Sequence, residues 1–131
     1  MNDTAMKKRI EDTLPQISSL IVHPSSGNEK LSLSFDCLDK RFDLSAVVTG
    51  NRCCILLRTD MAKGNEILVN RFNAAEARMT CYSDGKSLFF RRIEAYVNEE
   101  EEIVTKIIEM LTHLIVDDRF IFLRLMKGVC R

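Results

Sequence analysis

A chain of 131 residues has the length of one domain, enough for one continuous hydrophobic core and not for two. Hydrophobic residues make up 46% and charged residues 29%, which excludes a disordered chain because enough apolar surface is present to offset chain entropy. The 19 Lys and Arg match 19 Asp and Glu, so no net field draws nucleic acid or an anionic membrane, and no apolar run reaches the ~20 residues of a membrane helix.

The first element is an amphipathic helix. Met6, Ile10, Leu14 and Ile17 recur at spacings of four and three behind the capping candidates Asp3 and Thr4. Pro15 lacks a backbone donor and disfavours helical geometry in Leu14, so the helix kinks or stops near residue 13. The basic stretch Lys7, Lys8, Arg9 reads as the solvated face of this helix. The start "MNDTAMKKRIEDTL" has no apolar signal core, so the expected location is cytoplasmic. The following "HPSSGNEK" has the composition of a loop.

Three strands come next. In "KLSLSFDC" Leu31, Leu33, Phe35 and Cys37 alternate with Ser32, Ser34 and Asp36. "RFDLSAVVT" repeats the alternation with Phe42, Leu44, Ala46 and Val48, after a connection through Leu38, Asp39 and Lys40. "RCCILLRT" follows across Gly50-Asn51, residues that tolerate the positive φ of a tight hairpin. The period then changes. Ile67, Leu68, Phe72 and Ala75 fall at helical spacings behind a cap at Asn65. Two further strands, "RMTCY" and "KSLFFRRIEAYV", flank Ser83-Asp84-Gly85, a strong hairpin signal.

Asn98 and Glu101 have capping-box spacing, and the acidic run Glu99 to Glu102 suits a helix N-terminus. Ile103, Ile107, Leu111, Leu114 and Ile115 form the apolar face of that last helix; "DDRFIFLRLM" reads as its continuation after a bend, although its aromatic and branched residues also allow a short strand. The fold class is therefore α+β: an antiparallel sheet of about five strands with helices, in the order α-βββ-α-ββ-α, as a single domain over residues 1–131.

Chemistry-bearing groups are sparse. Cys37, Cys53, Cys54, Cys81 and Cys130 show no C-x-x-C spacing, the pattern of reduced thiols used as small hydrophobes. Cys53 and Cys54 sit on one strand and face opposite ways, so they form no dithiol. "KGNE" and "TGNR" lack the phosphate-binding glycine pattern. His23 lies in the loop and His113 on the last helix; each reads first as structural, although a cysteine enzyme using one of them is an open reading. The expectation is no catalytic residue, no metal and no cofactor.

The apolar surface carries more information. Strand "SLFFRRIEAYV" has Phe89, Ile93, Ala95 and Val97 on one face and Leu88, Phe90 and Tyr96 on the other. A sheet covered on one side needs only one such face, so the second faces a partner or a covering segment of the chain. The partner-binding residues expected from this are Leu88, Phe90, Arg92 and Tyr96.

The segment "ILVNRFNAAEARMTCYSDGKSLFFRRIEAYV" resembles the YbjN-like domains described as bacterial sensory transduction regulators: a helix with Asn70 and Asn73, a strand through Met79 and Cys81, an Asp84-Gly85 turn and a longer strand with a central arginine. The order of elements over residues 28–126 also resembles the related class I type III secretion chaperones, while the specific likeness lies in 66–97. The neutral charge and Pro15 set the chain apart from those chaperones, which are commonly acidic with a long first helix, and favour the YbjN-like side. The resemblance implies a non-enzymatic protein-binding or regulatory domain, a homodimer engaging a protein or peptide through apolar surfaces and strand edges. It also implies Asn70 and Asn73 as structural positions that bond the helix to a neighbouring strand. A secretion chaperone holding an effector segment is the alternative.

Overall fold

The computed structural model describes residues 3–24, 30–60, 66–95 and 100–129. The first helix, α1 (Asp3–Thr13), ends where Pro15 requires and buries Met6 and Ile10. Its outer face is tied by Lys7–Glu11 and Lys8–Asp12 ion pairs at 3.8 Å, the solvated role expected of the basic stretch, whereas Arg9 is half-buried and donates to Thr105 Oγ1 at 2.7 Å.

Six strands follow in one antiparallel sheet: β1 (Ser18–His23), β2 (Lys30–Cys37), β3 (Lys40–Thr49), β4 (Arg52–Asp60), β5 (Thr80–Ser83) and β6 (Ser87–Ala95). Their spatial order is β1-β2-β3-β4-β6-β5. The second sheet section is thus not separate: β6 enters beside β4 and leaves β5 at the edge. Helix α2 (Glu66–Ala75) connects β4 to β5. Helix α3 (Glu100–Thr112) passes through a π-helical turn (His113–Asp117) into α4 (Arg119–Val129), the bend expected near Asp117. The caps expected at Asn65 and at Asn98 with Glu101 lie outside what is described.

The sixth strand is β1, in the segment read from sequence as helix end and loop. Its "LIV" run has no alternation, and a bulge between Ser18 and Ile21 with Ser19 at φ 51° breaks its period. The other strands keep the expected pattern. Leu33, Phe35 and Cys37, then Phe42, Leu44, Ala46 and Val48, then Cys53, Ile55 and Leu57 all face one buried cluster. The helices complete that cluster with Phe72, Ile107, Leu111 and Phe122.

Turn chemistry fixes the register. Gly50 at φ 60° and Gly85 at φ 91° take the conformations anticipated for the two glycine hairpins. Asp84 Oδ1 accepts bonds from the backbone N–H of Lys86 (2.9 Å) and Ser87 (2.7 Å), which closes the second of them. The β2–β3 turn reaches the same geometry without glycine, with Leu38 at φ 54° and Asp39 at φ 61°. Among the described residues, no helix is long and apolar enough to cross a membrane.

Candidate functional site: the open face of the sheet

Because strand side chains alternate, burying one set under the helices leaves the other set facing outward. On β6 the buried set is Leu88 and Phe90, each 0% exposed. Phe90 meets the Phe72 ring edge-on at 5.4 Å and the Phe122 ring at 5.9 Å. The expected partner-binding pair therefore sits in the core, and the face of β6 assigned to a partner is the one the helices cover. Both faces of this strand are apolar, so alternation alone does not say which one the helices take.

Arg92 shares the covered side and is not free for a partner either. Its guanidinium bonds Glu94 and His113 Nδ1 (3.1 Å) and lies 3.6 Å from Glu109. It clasps β6 to α3 and the π-helical turn. Burial, then Arg78 and Arg92, push the His113 pKa down, which keeps the ring neutral and Nδ1 an acceptor for Arg92. Tyr96 lies outside the described residues.

The uncovered face is built in rows across the strands. Val47, Cys54 and Ile93 are in register on β3, β4 and β6, and Ser45, Leu56 and Arg91 form the next row. Ile93 is 53% and Val47 37% exposed. Toward the β5 edge, Tyr82 stacks on Phe89 at 4.9 Å, and the Arg91 guanidinium lies 5.9 Å from the Tyr82 ring centre, within cation–π range. This apolar half of the face is what a protein surface normally hides.

The other half is polar and already paired. Ser34 Oγ donates to Asp43 Oδ1 at 2.7 Å and contacts His23 Nε2 at 2.8 Å. Arg58 reaches Asp43 at 3.7 Å and Asp60 at 2.8 Å, and Arg41 holds Asp36 at 2.7 Å. Since Ser34 gives its one proton to Asp43, His23 Nε2 must be the donor to Ser34. A hydrolytic triad places histidine between serine and acid so that it takes the serine proton; this chain has serine in the middle. His23 and His113 are thus bonded to Ser34 and Arg92, and burial raises the pKa of the Cys37, Cys53 and Cys81 thiols, the last to about 12. No cluster of three or more metal-ligating side chains occurs among the described residues.

No protein-family model matches this sequence, and no curated protein matches it.

The two asparagines separate. Asn73 does what the resemblance implied: its Nδ2 donates to the Cys81 carbonyl at 2.8 Å and its Oδ1 accepts from the Cys81 N–H at 2.7 Å. That amide replaces a backbone neighbour at the outer edge of β5, so peptide addition is blocked at Cys81. Asn70, one turn earlier, is exposed at the mouth of the cleft between α2 and β5.

Sequence reasoning passed over a second polar centre. Glu76, 3% exposed after α2, holds Arg78 at 2.7 Å, and Arg78 reaches Asp118 (3.4 Å) and Asp117 (3.5 Å) beside the π-helical turn. Bonding to Arg78 lowers the Glu76 pKa to about 2, while burial and the shared bond with Glu76 raise Asp118 to about 6. The E-A-R spacing is too common to have flagged it.

Proposed function

We propose that this chain is a non-enzymatic protein-binding domain of the YbjN-like kind, receiving a protein partner on the open face of its sheet. The observation that carries the reading is the exposed row Val47–Cys54–Ile93, set beside a polar half whose charges already neutralise one another. A partner covering this face gains burial of apolar area at its centre. The paired charges form a rim that sets orientation rather than affinity. Binding is through side chains on this face, since the β5 edge is occupied by Asn73 at Cys81.

The thiol and histidine environments favour this over a cysteine enzyme: a nucleophilic cysteine needs a lowered pKa and an adjacent base. Burial moves Cys37, Cys53 and Cys81 the other way.

The test compares tagged wild type, Val47→Asp with Ile93→Asp, and an Arg71→Asp control on the exposed side of α2, each verified as folded by circular dichroism. The expected result is one stoichiometric partner retained by wild type and control and lost by the sheet variant. The same set of bound proteins in all three would overturn the reading.

A further inference from the structure

Among the described residues, the most exposed large apolar side chain lies away from the sheet. Phe120, in the first turn of α4, is 85% exposed. Leu123, three residues on, shares its side of the helix, and Val116, one turn earlier, is 45% exposed. Helix α4 already gives Phe122, Leu125 and Met126 to the core. Its outer side is otherwise basic, with Arg119, Arg124 and Lys127 exposed, so Phe120 stands there as an isolated apolar group that a partner surface would bury.

A groove opens next to Phe120. It is lined by Ile115, Val116, Phe122 and Leu123 of the helical segment and by Leu38, at the tip of the β2–β3 turn, with Gln16 and Cys37 beside them. The groove holds about 270 Å³, more than the ~150 Å³ that accommodates a benzene ring in an apolar cavity. Leu38 is 42% exposed and held outward by its positive φ. Phe120 does not line the groove of its own chain, and its side chain is left almost wholly in solvent.

We propose that two copies of this chain associate about a two-fold axis through this elbow, Phe120 of each copy entering the groove of the other. A two-fold interface must be self-complementary, a knob and its hole lying on the same patch, and here they are neighbours on one helix. Charge agrees. Arg119 lines the groove, and Asp39 adjoins Leu38; neither has an ion-pair partner among the described residues. When Phe120 of one copy enters the groove, its neighbour Arg119 is carried to the Leu38-Asp39 turn of the other, which gives two reciprocal Arg119–Asp39 contacts. The pairing leaves the open sheet face uncovered and does not depend on the sheet-face reading.

Sedimentation equilibrium of the full chain tests it. Wild type dimerises, and Phe120→Asp and Leu38→Arg each raise the dimer dissociation constant more than about 30-fold, the loss expected at a central anchor. Both sites are exposed, so the fold survives, as circular dichroism will verify; either variant suffices if the other misfolds. Arg119→Asp weakens the dimer, and combining it with Asp39→Arg restores it. Ile93→Asp leaves the dimer intact. A wild type that stays monomeric at about 200 μM, well above the range of specific self-association, overturns the proposal. So does a dimer that survives Phe120→Asp, or one that dissociates on Ile93→Asp.

Discussion

Replacing Asn73 with alanine isolates one contact between α2 and the sheet. The side chain makes two bonds to a single backbone unit, 2.8 Å to the Cys81 carbonyl and 2.7 Å from the Cys81 N–H. Each is worth about 0.5–1.5 kcal/mol net, and both backbone groups lose their partner at once, so the expected cost is about 2 kcal/mol. For a domain of this size that is a fall in Tm of about 6–10 °C. Asparagine to aspartate sharpens the test, because a carboxylate still accepts from the N–H but faces the carbonyl with a second acceptor. Its protonated form restores a donor, so the folded pKa of that aspartate rises above the unfolded value. The stability it contributes is then present at low pH and lost as pH rises through the folded pKa. Urea denaturation of wild type, Asn73→Ala and Asn73→Asp between pH 4.5 and 7.5, with amide exchange read at Cys81, measures all of this. A loss below about 0.5 kcal/mol for alanine, the low end for one hydrogen bond, or an unchanged exchange rate at Cys81, would refute the reasoning.

Three further outcomes follow from the same geometry. Phe90→Ala removes a ring packed between Phe72 and Phe122 and costs about 3–5 kcal/mol; chemical denaturation checks it, and a loss under about 1 kcal/mol would contradict its burial. Asp118, raised to about 6 in the fold from an ordinary value of 3.8, binds more protons folded than unfolded between those values, so its contribution falls as pH rises through about 6. Glu76, lowered to about 2, adds stability above its ordinary pKa and loses it on acidification toward 2. Asp118→Asn should therefore flatten the decline in urea midpoint between pH 4 and 6.5, and an unchanged slope would separate the decline from this pair. Of the cysteines described, Cys54 lies on the open face while Cys37, Cys53 and Cys81 are buried. In the native protein a thiol reagent should modify Cys54 before Cys37, Cys53 and Cys81 by peptide mass spectrometry, and equal labelling of Cys81 would be inconsistent with the core.

The sequence carried most of the architecture because period and turn chemistry are local. Leu33, Phe35, Phe42 and Leu44 alternate cleanly and point inward as expected, Pro15 stops α1 at Thr13, and Asp84-Gly85 makes its hairpin. What could not be read was set by distant packing. The strand β1 hides in an apolar run with a bulge, and its pairing with β2 decides its state. In α2 the spacing names Phe72 correctly but also Ile67, which is 65% exposed, and passes over Val69, which joins Phe72 in the core. The choice of face on β6 was the costliest error: Leu88 and Phe90 were expected outside, and Phe72 and Phe122, remote in sequence, put them inside. Asn73 was legible only through the resemblance, since nothing near it in the chain names Cys81 as its partner.

The central claim is that a partner covers the sheet face opposite the helices. Its most direct measurement places a photo-crosslinking amino acid at position 93, on that face, and separately at position 71, on the exposed side of α2, in the living source cells. The account predicts one discrete crosslinked protein from position 93, absent from position 71 and lost when Val47→Asp is added. The same faint ladder from both positions, or a discrete product from position 71 alone, would contradict it.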